Sequence, residues 1–232
     1  MGEYYSWVNI DKREYIEPFA FDLGNKIHES AMEGNSLLGA MYSLLKSEWK
    51  GDRIIFLGDE THITENDTNP VIRELSYQRK QWGEPGYDAD YVVDTYRDIS
   101  GLFKDAEKIV REEIQIMIDS DNFECNYYQV ARDNPFEGLF ERQPAHYRYV
   151  YNHTKKEFYD LTRTRMTYTD KNGNYVRHID PLPLLHAFGR SAGDKCTGLW
   201  IGDIIEPGDE TPQDDYKDMS SVYVWDGYGV EQ

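Results

Sequence analysis

The main pairs of basic side chains in this sequence are Lys12-Arg13 and Lys155-Lys156, which stand at equivalent places in two similar segments. Each pair could hold a phosphate or another anionic group, because ammonium and guanidinium groups donate hydrogen bonds to phosphate oxygens. The alternative is a turn kept in water by its charge, with Glu14 or Glu157 pairing locally to the basic side chains.

A Trp-x-Gly-Asp pattern also occurs twice, ending at Asp52 and at Asp203. In a binding site, the two aspartates would contact a ligand beside a tryptophan platform. The alternative is a turn between a helix and a strand, in which glycine supplies the positive φ and aspartate bonds nearby backbone N–H groups. The tryptophan would then pack in the core. The candidate ligand-binding residues are Lys12, Arg13, Trp49, Asp52, Lys155, Lys156, Trp200 and Asp203.

Paired carboxylates follow each of these turns in a Gly-Asp-Glu-Thr sequence, at Asp59-Glu60 and Asp209-Glu210. Such pairs could hold Mg²⁺ or Ca²⁺, or act as acid and base if burial separated their pKa values. Neither has the order of acids and glycine that a calcium loop requires, so we interpret both as solvated loops and assign no metal site. The candidate partner-binding residues are Asp59, Glu60, Asp209, Glu210, Asp214 and Asp215.

Sequence motifs that are typical of enzymes do not occur in this chain. The six histidines form no HxH, HxxxH or HExxH pair, and no nucleophile elbow, phosphate loop or dinucleotide fingerprint occurs. The two cysteines, Cys125 and Cys196, form no CxxC motif and are expected to be reduced thiols. The sequence therefore predicts a non-enzymatic protein that uses no cofactor.

The recurring patterns belong to a longer internal similarity, so we interpret the chain as a degenerate tandem repeat. The matching blocks are 9–17 with 152–160, 49–61 with 200–211, and 96–100 with 216–220.

Each copy is predicted to form a β-hairpin, a helix and a strand. In the first copy we expect a hairpin over 5–16, a helix over 36–48 and strands over 53–57 and 91–96. In the second copy we expect the same plan with an extended hairpin, in which residues 166–169 lead to a turn at Asn172-Gly173 and the chain returns through Tyr175-Val176, followed by a short helix over 181–188.

The copies differ in one insertion. The first copy carries 34 residues between Thr61 and Tyr96, with a predicted helix over 70–80, where the second copy has four. An amphipathic helix is predicted over 100–118, between the copies. The expected fold is α+β, with two related β-hairpin/helix/strand units in tandem joined by this long helix. The expected organisation is unit 1 over 1–100, a connecting helix and linker over 101–143, and unit 2 over 144–232.

The blocks resemble an uncharacterised group of bacterial proteins that is also found on phages and mobile elements. That group carries Val-Asn-x-Asp-Lys-[Lys/Arg]-x-Tyr, here residues 8–15, and Trp-x-Gly-Asp-Arg-Ile followed by Gly-Asp, here 49–54 and 58–59. The second copy departs from the pattern at Tyr151, Thr154 and Ile204. The group has no assigned activity, so the resemblance implies a phage or defence-related setting and no mechanism.

Charge limits the partners of this chain, because 25 basic and 43 acidic residues give a net charge of −18. A nucleic-acid or anionic-membrane surface would need clustered Lys and Arg, so we expect a basic protein partner, no direct nucleic acid and no membrane. The N-terminus lacks the order of a signal peptide, and no apolar run is long enough to span a bilayer. We therefore expect a cytoplasmic location in a bacterial host cell.

Two functions follow as expectations. The first is an inhibitor from a phage or mobile element that occupies a basic surface of a host nucleic-acid-handling protein, and the 19 tyrosines favour such an interface. The alternative is a protein that sequesters a nucleotide or small ligand in the cleft between the two copies. The oligomeric state stays open.

Overall fold

The computed structural model of the protein contains helices and strands in mixed sheets, which confirms the α+β class. It describes residues 3–21, 26–31, 36–65, 67–83, 88–103, 146–164, 166–170, 173–177, 179–190 and 195–223. The helix expected over 100–118 lies outside these residues from position 104 onward, as do most of the expected linker and Cys125.

The first half of the chain, residues 3–103, alternates strands and helices. Its elements are β1 Tyr5–Asn9, β2 Glu14–Ile16, a 3₁₀ turn Pro18–Phe21, α1 Ile27–Ser30, α2 Ser36–Lys46, β3 Ile54–Gly58, α3 Pro70–Trp82, α4 Asp88–Thr95 and β4 Arg97–Asp98.

The second half, residues 146–223, is richer in strands. Its elements are β5 Tyr149–Asn152, β6 Glu157–Asp160, β7 Met166–Asp170, β8 Gly173–Arg177, α5 Leu182–His186, β9 Ala187–Phe188, β10 Ile205–Gly208 and β11 Lys217–Asp218.

Two sheets of matching order organise the halves. The first sheet has the order β4-β2-β1-β3-β9 and the second has the order β10-β5-β6-β11. In each sheet, the hairpin strands are antiparallel and the short last strand, β4 or β11, lies parallel beside the second hairpin strand. The sheets meet at one antiparallel bridge between Arg53 and Ile204, and β9 from the second half pairs with β3 of the first.

One hydrophobic core contains side chains from both halves. The fully buried tryptophans Trp7 and Trp49 of the first half share it with Trp200 of the second half. Helix α2 of the first half packs on β10 of the second, and α5 of the second half packs on β3 of the first. Each half therefore packs one helix on a strand of the other half, and the described parts of 1–100 and 144–232 are packed together.

A second cluster lies on the opposite face of the first sheet, beneath the insertion. Helices α3 and α4 contribute buried side chains, including Leu75 and Val92, which cover Val8 and Ile55 of the sheet. The apolar residues of this face are thus removed from water by residues that the second copy lacks.

Three local predictions differ from the structure. Residues 91–96 were expected to be a strand, but α4 runs from Asp88 to Thr95. Val92 and Val93 favour strands by propensity, yet Tyr91, Val92 and Tyr96 are buried while positions 93–95 are exposed, and this helical spacing fits packing against α3.

Gly173, which was expected in the turn of the hairpin formed by β7 and β8, is instead a strand residue that pairs with Asp170, and Asn172 lies outside the described residues. Similarly, the helix expected over 181–188 ends at His186, where Ala187 becomes extended and pairs with Phe56 of β3. The helix over 70–80 is confirmed and extends to Trp82, with Asn69 as its N-cap.

Candidate functional site

The first hairpin tip places Lys12 against the aspartate of the Trp-x-Gly-Asp turn. The Asp52 carboxylate accepts a hydrogen bond from Asn9 Nδ2 at 2.8 Å and lies 3.0 Å from Lys12 Nζ. Asn9 Oδ1 accepts a bond from the Lys12 backbone N–H at 2.9 Å. Gly51 has φ of +80°, as the turn interpretation requires.

The second hairpin tip repeats these contacts. Asn152 Nδ2 donates to Asp203 at 2.7 Å, Asn152 Oδ1 accepts from the Lys155 N–H at 2.9 Å, and Lys155 forms an ion pair with Asp203. Gly202 has φ of +79°. The tandem repeat remains an inference from the sequence, and these matched contacts support it.

The two tryptophans of the candidate ligand site are inside the core. Trp49 and Trp200 are fully buried, so neither offers a stacking platform to a ligand. Trp49 Nε1 donates to Glu14 at 2.8 Å, and Trp200 Nε1 donates to the Tyr223 hydroxyl at 2.9 Å. The structure therefore favours the turn interpretation, in which the tryptophan packs in the core.

The second basic residue of each tip occupies strained backbone. Arg13 has φ of 54° and Lys156 has φ of 57°, in the left-handed region that favours glycine. The Lys156 ammonium lies 4.6 Å from the ring centre of Tyr216 and 3.5 Å from an oxygen of Asp215. A hydrogen bond with the Tyr216 hydroxyl raises the pKa of Lys156 above its usual value.

The six candidate partner-binding carboxylates do not form one patch. Strands β3 and β10 run in opposite directions away from the bridge between Arg53 and Ile204, so the loops that follow them lie at opposite ends of the combined sheet. Asp59 accepts a bond from the Tyr4 N–H, and Glu60 lies 3.2 Å from the Arg190 guanidinium.

The other four carboxylates lie together in the loop after β10, which we name the acidic loop, residues 209–215. Asp209, Glu210, Asp214 and Asp215 are all exposed. Asp209 Oδ1 accepts a bond from the Arg148 N–H at 2.9 Å, which fixes the start of the loop against β5.

Beside the acidic loop lies a set of aromatic rings that sequence reasoning missed. We name it the aromatic face: it consists of Tyr149, Tyr151, His153, Phe158 and Tyr216. The ring centres of neighbouring members are 5.9–6.3 Å apart. The available signal was the alternation of ring residues at positions 149, 151 and 153, which places them on one side of a strand.

The acidic loop and the aromatic face are in direct contact. The Tyr151 hydroxyl donates to the backbone carbonyl of Glu210. Burial, followed by nearby acidic groups that include Glu210, Asp209 and Glu206, raises the pKa of Tyr151 to about 12. The exposed carboxylates of the acidic loop thus lie beside this ring, and an approaching group close to them is favoured if it is a cation.

A separate polar cluster is sealed between the halves. Tyr42 from α2 and Tyr159 from β6 both donate to the buried carboxyl of Asp180. Burial raises the pKa of this carboxyl to about 7. His186 donates to the Leu182 carbonyl at 3.0 Å, and burial lowers its pKa to about 4. Both groups lie in the packed core, so they are placed to affect stability rather than to meet a substrate.

Across the described ranges, no three histidine, cysteine, aspartate or glutamate side chains gather as a metal site would require. No helix in the described part of the chain has the length and apolarity to cross a membrane. Cys196 is buried, and its thiol donates to the Val222 carbonyl at 3.8 Å.

Comparison with known proteins adds no relative to these observations. No protein-family model, curated protein or solved structure matches the chain.

Proposed function

We propose that this chain is a non-enzymatic binding protein that occupies a basic surface of another protein. The observation that carries the proposal is the acidic loop, which exposes Asp209, Glu210, Asp214 and Asp215 within seven residues of a chain with net charge −18. Opposite charges speed the encounter of two proteins and disfavour partners of the same sign.

The class of partner that this charge fits best is a nucleic-acid-handling protein. Such proteins cluster lysine and arginine on the surface that meets phosphate, and an acidic protein can occupy that surface in place of the nucleic acid. The resemblance of residues 8–15 and 49–54 to a group found on phages and mobile elements adds a setting to the proposal. In that setting the chain would act in the bacterial cytoplasm as an inhibitor of a host defence protein.

Ligand sequestration between the copies receives less support. Lys12 and Lys155 each form an ion pair with the aspartate of their own turn, and the region where the halves meet is filled by core side chains such as Trp200 and Trp7. A phosphate would therefore have to compete with Asp52 and Asp203 for the lysines.

The experiment that tests the proposal is capture of a partner on the immobilised protein at low salt, followed by elution with rising salt. The variant Asp214→Lys/Asp215→Lys reverses two exposed charges of the acidic loop and should lose the partner. Its control is Asp90→Lys/Asp94→Lys, which makes the same charge change at two exposed positions of α4.

We expect a basic protein that leaves as salt screens the charges, that is retained by the control and that is lost with the acidic-loop variant. Capture that survives the loop reversal, or that salt does not weaken, would contradict the proposal. Competition by nucleic acid for the captured protein identifies its phosphate-binding surface as the one occupied.

A further inference from the structure

The central strands of the two sheets carry different residues at matching positions of their outer faces. In the first sheet, Val8 lies opposite Tyr15 on one side and Ile55 on the other. In the second sheet, Tyr151 lies opposite Phe158 and Glu206 in the same way. Val8 of the first sheet thus corresponds to a tyrosine in the second, and Ile55 corresponds to a glutamate.

The two faces also differ in what lies over them. Helices α3 and α4 bury the first face in the second hydrophobic cluster. Of the described helices, α2 packs on β10: its apolar side chains belong to the shared core on the inner side, and its Lys46 pairs with Glu206 at 2.7 Å. Tyr151 and Phe158 remain half-buried on the outer side, and His153 is exposed.

The rings of the outer side already hold cations of their own chain. The Arg148 guanidinium lies 4.9 Å from the ring centre of Tyr149, and the Lys156 ammonium lies 4.6 Å from that of Tyr216. The face of an aromatic ring attracts cations, most strongly where water is excluded. The exposed carboxylates of the acidic loop lie beside these rings and strengthen that attraction.

We propose that the aromatic face is a docking surface for a partner helix that carries arginine or lysine, seated where α3 and α4 lie on the first sheet. This inference rests on the proposed function and names the surface and the chemistry that it would use. Charge complementarity selects the occupant: a second copy would bring a second acidic loop, and nucleic acid would bring phosphates, and both would be repelled.

The test uses synthetic helical peptides of about 18 residues, long enough to fold as helices. One fluorescein-labelled peptide places arginines along one edge of a leucine and alanine stripe. A second has glutamate at every arginine position, and a third keeps the arginines but has two central prolines. Binding to the full chain is followed by fluorescence anisotropy at low salt. We expect the arginine helix to bind about tenfold more tightly than either control peptide.

The matched variants place residues of the first sheet's outer face at the corresponding positions of the aromatic face. The double variant Tyr151→Val/His153→Ile introduces the residues that the first sheet has at these positions, Val8 and Ile10. It should weaken binding of the arginine helix about fivefold through the loss of ring contacts. The control Tyr77→Val removes a tyrosine that is 65% exposed on α3 and should leave the affinity unchanged. Far-UV circular dichroism checks folding, and the single variant His153→Ile replaces the double variant if the latter does not fold.

The outcomes separate this inference from the proposed function. If the face variants bind the arginine helix within twofold of the original chain while Asp214→Lys/Asp215→Lys still releases the captured partner, the aromatic face is not the docking surface and the proposed function stands. If the glutamate and proline peptides bind equally well, the partner chemistry stated here is wrong. A dimer in sedimentation that dissociates in the Tyr151→Val/His153→Ile variant would assign the face to a second copy and overturn the proposal.

Discussion

The outer faces of the two sheets share a register and differ in their exposure to water. On the first sheet, Val8, Ile10 and Ile55 are buried beneath two helices that the 34-residue insertion supplies. On the second sheet, Tyr151, His153 and Glu206 stand at the matching places without that insertion. A sheet face that no described helix covers needs residues that tolerate water, and tyrosine and histidine do so while still offering apolar area.

The largest effect is expected from breaking the cover of the first face. Leu75 of α3 is fully buried, and Leu75→Ala should lower the free energy of unfolding by about 2–5 kcal/mol because it leaves a cavity. Val93→Ala on α4, at a position 51% exposed, should change the free energy of unfolding by about 0.5 kcal/mol or less. Urea denaturation measures both, and equal losses would show that the insertion does not seal the face.

A second effect of a few kcal/mol is expected at Asp180, whose carboxyl accepts hydrogen bonds from tyrosines of both halves. Asp180 keeps its proton in the folded chain up to a pKa of about 7, above its ordinary 3.8. The folded state therefore binds more protons between about pH 4 and 7, and this contribution to stability is lost as the pH rises through that range. Relative to the original chain, Asp180→Asn should gain stability as the pH rises from 4 to 7.

His186 should show the opposite slope. Its pKa falls from 6.5 to about 4 on folding, so the unfolded chain binds the extra proton and stability is lost as the pH falls from about 6.5 to 4. His186→Leu should therefore gain stability relative to the original chain as the pH falls. Thermal melts from pH 4 to 8 check both variants, and parallel pH profiles for the two would refute the assignment.

The turn glycines give a smaller and sharper comparison. A Cβ at Gly51 would meet nothing within 4 Å, whereas a Cβ at Gly202 would lie 2.3 Å from Val71 Cγ2 of α3. Gly51→Ala should cost about 1 kcal/mol for its positive φ, and Gly202→Ala should cost about 2–3 kcal/mol because it adds overpacking. Adding Val71→Ala should reduce the cost of Gly202→Ala and leave that of Gly51→Ala unchanged, as a double-mutant cycle would show.

The smallest difference is expected between Asn9→Ala and Asn152→Ala. Both asparagines are fully buried and bridge the aspartate and the lysine of their tip. Each substitution should cost about 1–3 kcal/mol for the unsatisfied groups that it leaves. The two costs should agree within about 0.5 kcal/mol, and a larger gap measured by denaturation would mean that the tips are not equivalent.

Features set by short-range chemistry could be predicted from the sequence. The residues Gly51 and Gly202 supply the positive φ of their turns as expected. Helix α3 follows from Asn69, whose side chain accepts the Val71 N–H at 2.9 Å, and from Gly83, which ends the helix with φ of +76°. Such signals need only the residues next to them.

Features set by long-range packing could not be predicted in the same way. The helix at 88–95 is stabilised by its buried side chains against α3, which overrides the strand preference of Val92. The pairing of β9 with β3 joins Ala187 to Phe56 across 131 positions. The aromatic face depends on which sheet faces receive a cover, and no local pattern in the sequence states this.

The shared core has a consequence for the synthesis of this protein on the ribosome. Trp49 emerges 151 positions before Trp200, which belongs to the same core, an interval of about 8–30 s at ordinary rates of translation. Until residues 182–188 are made, β3 lacks both its neighbouring strand β9 and the helix α5 that packs on it. We therefore expect nascent chains shorter than about 200 residues to expose tryptophan-rich apolar surface and to depend on chaperones.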